Sequence, residues 1–407
     1  MKIGILTYHC VTNFGAQLQC LSTIGYLKKH GHDPVVLNWY PDDLKDFYKR
    51  QHPQVQYDEQ FNFSQEQMPV SRLCSTLDQL NTEIDSLQLD AILLGSDALF
   101  DYAPLKTRRP FSFKKLRFVQ TNVDCNHDIP NPFWGSFNDG IKRKIPFGGY
   151  AISSQNAPYK KVVAEERKEL GRLLNNFTLI TTRDEWTKNM VEYLSGRNDV
   201  LLVPDPVFAF NNNTDFDISK ESLLKKYNLP ENYVLFSFHH KYLSEDFINQ
   251  IVHGVEEATG FSTVSFPMPR GLKKFDTTHS IELPLPTLDW YYLIKYSQGY
   301  IGELMHPIIV SLHNSVPFYC FDQYGTYKTI IPRIWNKYVK ESSKIYDILE
   351  RASLLTNTIS YAEICSVTPE CVVKAFLEFD KDKCSAFAEL QYSSYEEGMD
   401  KVVSSFK

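Results

Sequence analysis

His306 lies in the run GYIGELMHPIIVSLHNSVPF, residues 299–318. A short apolar strand over Gly299–Ile301 breaks at Gly302, and Glu303–His306 make the crossing. A helix over Pro307–Asn314 follows, with Pro307 suited to its first turn. A histidine where a strand ends and a helix begins stands at the ligand-binding rim of an open α/β sheet. There it titrates near neutral pH, and its chemistry is donation to a phosphate or delivery of a proton. The bland alternative is a packed structural histidine.

Three other places share that address. Thr12-Asn13-Phe14-Gly15-Ala16 follows the first strand, where a glycine at a helix tip permits close approach and the helix end favours an anion. Gly95-Ser96-Asp97 ends another strand; Asp97 suits receiving or orienting a hydroxyl, or else caps a helix. Leu179–Glu185 sets Arg183 behind a buried strand as an always-charged fork for carboxylate or phosphate, against the alternative of an ion pair with Asp184 or Glu185. Neither GxGxxG nor GxxxxGK[ST] occurs, so dinucleotide and P-loop readings lose their main support.

Holding these groups takes strands alternating with helices, which indicates βαβ units and parallel sheets. Strands are expected at Lys2–Tyr8, Pro34–Trp39, Ala91–Leu94, Gly149–Ile152, Thr178–Thr181 and Leu201–Val203, with helices near 15–29 and 161–174. The polar spacer Asn211–Asp215 is the expected boundary. Strands at Tyr233–Phe238, Ser262–Phe266 and Val316–Phe321 and helices at Glu245–Ala258 and Leu288–Tyr296 build a second half. The expected fold class is α/β, two Rossmann-like domains facing a central cleft. Residues 1–212 form the first domain on the acceptor side and 213–340 the second on the donor side, and 341–407 form a helical segment packing back across the cleft.

A chain of 407 residues suits two such cores. A net charge of −6 argues against general nucleic-acid binding. No apolar run reaches membrane-span length, and Met1 leads straight into a strand, so a cytoplasmic protein is expected. The cysteines are scattered without a CxxC pair, which speaks against a zinc site or a disulfide framework. KTRRPFSFKKLRF, residues 106–118, interleaves six basic residues with aromatics. It fits a membrane surface or a lipid-carrier diphosphate, or else a solvated basic hairpin.

TYHCVTNFGAQLQ, ILLGSDALF, NPFWGSF, GYAISSQNAPY, ITTRDEW, LLVPDPVF and ELMHPIIVSLHNSVPF, followed by SKIYDIL, occur in that order. Together, over about residues 1–355, they resemble the polysaccharide pyruvyl transferase family. The resemblance implies a GT-B-like fold and transfer of pyruvate from phosphoenolpyruvate onto two hydroxyls of a sugar, making a cyclic ketal. The expected acceptor belongs to bacterial capsular or exopolysaccharide synthesis; a galactose 4,6-ketal on a polyprenyl-diphosphate-linked precursor at the inner membrane face is one form. Neither cofactor nor metal is implied, and oligomeric state stays open.

The resemblance assigns His306 as general acid and Asp97 as base or hydroxyl-orienting group. Arg183, Asn13 and Gly15 are expected on the donor. The family's Arg-Leu-His-Gly element falls on Leu304-Met305-His306-Pro307, so its arginine is leucine here. Lys328 is the first choice for the missing charge, ahead of Lys273, Lys274 and Arg270. Trp134 and Ser154 are expected at the acceptor, with Phe133 and Trp290 as further stacking candidates. The alternatives are a GT-B glycosyltransferase using a nucleotide sugar and a non-catalytic sugar-binding protein.

Overall fold

Apolar runs too short for helices form the strands of two all-parallel sheets. The computed structural model describes residues 1–108, 111–112, 117–119, 123–239, 243–327 and 337–407. The chain divides into a first unit (Met1–Arg50, Phe61–Thr214, Ser393–Lys407) and a second (Gln51–Gln60, Asp215–Tyr392).

The first sheet contains β1 (Lys2–Leu6), β2 (Asp33–Val36), β3 (Ala91–Leu94), β4 (Phe147–Ile152), β5 (Ile180–Thr182) and β6 (Leu201–Leu202), in the order β2-β1-β3-β4-β5-β6. Every residue of β3 and β4 is buried, as expected where helices cover both faces of a parallel sheet. The second sheet contains β7 (Tyr233–Ser237), β8 (Ser262–Ser265), β9 (His279–Ser280), β10 (Gly299–Gly302), β11 (Phe318–Asp322) and β12 (Thr358–Ser360). Its order is β9-β8-β7-β10-β11-β12. Connections reverse direction between β1 and β3 and between β7 and β10, and such reversals open a crevice at the strand C-termini. The fold class is α/β with two Rossmann-like sheets.

The division of the chain falls inside the expected boundary Asn211–Asp215, which is no free spacer, since Phe210–Asn213 forms a helical turn in the first unit. Asn213 Nδ2 donates to Ser22 Oγ at 3.0 Å, and the division falls after Thr214. Gly25 permits this, because a Cβ there would lie 2.0 Å from the Asn213 carbonyl oxygen. Nor is 341–407 a separate helical segment: Thr358–Ser360 pairs with β11, and the Lys381–Ser404 helix runs from the second unit into residues of the first. In that stretch Tyr395 packs edge-on against Tyr26 and Tyr150, centroids 5.7 and 5.3 Å away. A single strand-forming TIS and a long amphipathic helix carry no sequence sign of which sheet they join. Among the described residues no helix is long and apolar enough to cross a membrane.

Candidate active site

His306 is the second residue of the Met305–His313 helix and is half-buried. It stands just beyond β10, at the reversal of the second sheet. Two backbone features set the approach. Gly302 lies where a Cβ would meet the Ser237 carbonyl oxygen at 2.4 Å, so β7 and β10 close up only around glycine. Leu304 has φ 72° and ψ 145°, a region that side chains avoid at a cost of roughly 1–3 kcal/mol. The strained residue is the one occupying the family's arginine position.

Glu303, read in the sequence only as part of the crossing, is fully buried. His239 N donates to its Oε2 at 3.1 Å, and the Tyr361 hydroxyl donates to Oε1. Burial, then the charge of Glu303, pushes the Tyr361 phenol up, so it remains a donor. One carboxylate thus ties together the ends of β7, β10 and β12. Asp322, at the end of β11, is the second tie. It accepts from Tyr324 N at 2.8 Å, Tyr338 Oη at 3.0 Å and Ser343 Oγ. Burial nonetheless pushes its carboxyl up to about 6, the three donors pulling the other way. No periodicity marks either role; an acidic residue at a strand end was the available signal.

In the first unit the structure brings Asp97 and Arg183 together. Asp97 lies just past β3 with φ 96°, beside the β1/β3 reversal, and the residues after it form no helix. Its Oδ1 accepts from Ala98 N at 2.8 Å and from Arg183 Nη2 at 3.3 Å. Arg183 Nη1 donates to Asp205 Oδ2 at 2.6 Å and to Ser96 Oγ at 3.3 Å. Its ion pairs are therefore with Asp97 and Asp205; Asp184 instead caps the Glu185–Ser195 helix, accepting from Thr187 N at 2.8 Å. Burial pulls the Arg183 pKa down, but Asp205, Asp97 and Asp184 outweigh it. Asp205 was missed, although it sits in the quoted LLVPDPVF run.

The remaining expected residues are engaged in the protein's own framework. Asn13 caps the Phe14–Lys29 helix, its Oδ1 accepting from Gly15 N at 3.0 Å and Ala16 N at 3.4 Å, and Gly15 is buried in the first turn. Trp134 and Phe133 are fully buried, Trp134 packing on Phe100 at 4.7 Å, which leaves no ring face for a sugar. Ser154 is also fully buried, its N–H donating to Thr187 Oγ1 at 2.8 Å. Large aromatics at strand ends satisfy the core before any ligand. Trp290 is buried near Phe266 in the second unit.

Lys273 pairs with Glu245 at 3.7 Å and Lys274 with Glu282 at 2.6 Å, while Arg270 is exposed. Lys328 lies outside the described residues, as do 109–110 and 113–116 of the basic run. At its near end Arg108 makes a bidentate pair with Asp128, both bonds 2.8 Å, and Phe111–Ser112 pairs antiparallel with Arg117–Phe118. Beside Arg108, His127 bridges two carboxylates, Nδ1 to Asp124 at 2.6 Å and Nε2 to Asp101 at 3.1 Å. Burial lowers its pKa, but both partners overcome that and push it up to about 10. Among the described residues no group of three or more His, Cys, Asp or Glu could hold a metal.

Solved structures share this architecture. UDP-GlcNAc 2-epimerase from Neisseria meningitidis, bound to UDP-GlcNAc, superposes with TM-score 0.53 at 11% identity, covering 99% of each chain. The Methanocaldococcus jannaschii UDP-GlcNAc 2-epimerase gives 0.52 at 11% identity over 96% of this chain and 99% of that one. Anabaena HepE in complex with UDP-glucose gives 0.51 at 11% identity over 99% and 100%. At such identity these likenesses establish the fold, GT-B. Among curated protein sequences none matches this chain significantly. The family model for polysaccharide pyruvyl transferase matches residues 13–323, most of the chain, and the chain belongs to that family.

Proposed function

We propose that this protein transfers the pyruvyl group of phosphoenolpyruvate onto two hydroxyls of one sugar in a bacterial surface-polysaccharide precursor. The observation that carries this is the family match over residues 13–323, with His306 at the crevice of its second sheet. His306 delivers a proton to the methylene carbon of phosphoenolpyruvate, which becomes the methyl group. That leaves an oxocarbenium-like centre at C2. The first sugar hydroxyl bonds C2 and gives up its proton to Asp97. The C2–O bond to phosphate then breaks, and the second hydroxyl closes the ketal while its proton leaves with phosphate. General acid catalysis of this kind supplies roughly 10²–10⁴-fold.

The contrasting reading is a nucleotide-sugar enzyme, since the Neisseria epimerase and HepE structures above hold UDP-GlcNAc and UDP-glucose. That chemistry wants an acidic residue of the second unit gripping a ribose. Glu303, the acidic residue at that strand end, has both carboxylate oxygens engaged by Tyr361 and His239 and is fully buried. The galactose 4,6-ketal, the lipid-linked precursor and contact of 106–118 with the inner membrane face belong to the same proposal. Isothermal titration with phosphoenolpyruvate against UDP-galactose and UDP-glucose tests it. Phosphoenolpyruvate alone is expected to bind; selective binding of a UDP-sugar, or of neither donor, refutes the reading.

A further inference from the structure

Arg183 is the natural choice to receive the donor's anion, yet its surroundings suit a different ligand. Its side chain is 5% exposed and is held between Asp97 and Asp205. Asp205 is engaged at both oxygens: Oδ2 also accepts from Gln19 Nε2 at 2.6 Å, and Oδ1 accepts from Val207 N at 3.0 Å. Swinging Arg183 toward an anion would take the paired charge from that buried carboxylate and leave it only two neutral donors.

The local charge is one guanidinium against two paired carboxylates, with Asp184 next in the chain. A phosphate or carboxylate entering here meets net negative charge at short range. Within the Arg183–Asp97 pair itself, two hydrogen-bonding groups are left over among the described residues. Arg183 Nε is buried and has no acceptor among the described residues. In a planar guanidinium Nε–H and Nη2 share one edge, and here Nη2 already faces Asp97. The other Asp97 oxygen, Oδ2, makes no hydrogen bond to a described residue. A buried donor beside an uncommitted carboxylate oxygen matches a hydroxyl, which accepts one bond and donates another.

We propose that Arg183 serves the acceptor: its Nε–H and Asp97 Oδ2 hold one hydroxyl of an uncharged sugar, and the donor's anion binds elsewhere. This rests on the pyruvyl-transfer reading for its chemistry and on the first unit alone for its geometry. The acceptor class follows from the charge. A neutral hexoside is admitted, and a uronate is excluded.

The test pairs phosphoenolpyruvate titration with saturation-transfer NMR of methyl β-D-galactopyranoside and its uronate, in wild type, Arg183→Gln and Asp97→Asn. A site built to hydrogen-bond a hydroxyl loses at least about tenfold in affinity when a partner goes. Arg183→Gln is therefore expected to weaken the neutral galactoside by that factor and leave phosphoenolpyruvate unchanged. Because Arg183→Gln strands two buried carboxylates and is at risk of misfolding, Asp97→Asn is the second arm. It keeps the Arg183–Asp205 pair and is expected to weaken the galactoside with phosphoenolpyruvate again unchanged. Tighter phosphoenolpyruvate in Asp97→Asn, or a tenfold loss of it in Arg183→Gln, would show Arg183 reading the donor and overturn the inference. So would a wild type that binds no neutral galactoside, or binds the uronate as well. Failure of wild type to bind phosphoenolpyruvate, with the galactoside pattern intact, breaks the pyruvyl-transfer reading and leaves the hydroxyl site standing.

Discussion

Gly302→Ala is the sharpest structural test of the crevice that presents His306. The added methyl would sit 2.4 Å from the Ser237 carbonyl oxygen and 2.7 Å from Tyr300 Oη. Overpacking of this kind costs roughly 1–3 kcal/mol, and a backbone oxygen in a central strand cannot step aside, so about 3 kcal/mol is expected. For a unit of this size that lowers Tm by roughly 6–12 °C. The clash also disturbs the bond from Tyr300 Oη to the Glu303 carbonyl, 2.8 Å long, and with it the turn that leads to His306. A displacement near 1 Å at such a turn costs about 10²-fold in turnover. Gly254→Ala is the control in the same unit. Its methyl meets the Val373 Cγ2 side-chain atom at 2.9 Å rather than a backbone oxygen, and helix propensity favours alanine by about 1 kcal/mol. Thermal unfolding followed by circular dichroism, with phosphate release from phosphoenolpyruvate, reads both effects. Equal melting temperatures for Gly302→Ala and wild type would refute the close-approach argument.

Other expectations follow from the same geometry. His306→Ala should lower turnover by roughly 10²–10⁴-fold while the melting temperature holds, since the ring is only half-buried; near-normal activity removes the general-acid role. Asp322 has its folded pKa raised to about 6 from 3.8, so its contribution is fully present below pH 3.8 and is lost as pH rises through 6. Asp322→Asn should flatten the stability profile across that window, and an unchanged profile counts against the assignment. His127 is raised to about 10 from 6.5, so the Asp101–His127–Asp124 bridge stabilises fully below pH 6.5 and fades as pH climbs through 10. With the site about a third exposed, screening leaves roughly 1–2 kcal/mol of it. Asp101→Asn should shrink the loss of stability between pH 7 and 10; identical slopes in wild type and variant would dismiss the bridge.

Much of the architecture was legible because its signals are local. Apolar runs such as AILL and YVLFS, punctuated by glycine and followed by amphipathic stretches, announce parallel strands and helices within a few residues of their bounds. The address of His306 and of Asp97 at strand ends was equally readable, since it needs only the neighbouring residues. The polar spacer holds the division after Thr214, but Asn211–Asn213 is helical despite its loop composition, because Gly25, far away in sequence, provides the groove that folds it down. Trp134 and Ser154 misled because a residue type that suits sugars also suits a core, and burial is set by packing.

The amino-acid order alone fixes two α/β halves, their strand ends and the histidine between β10 and its helix, because hydrophobic period and turn chemistry act over a few residues. Tertiary structure alone decides what those strand-end groups face. Arg183 meets Asp97 across 86 residues and Asp205 across 22, and Glu303 meets Tyr361 across 58. Those partnerships set an arginine that reads as an anion hook between two carboxylates. Buried charges are stable only when paired, and the pairing is arranged by strands that the chain brings together from distant places.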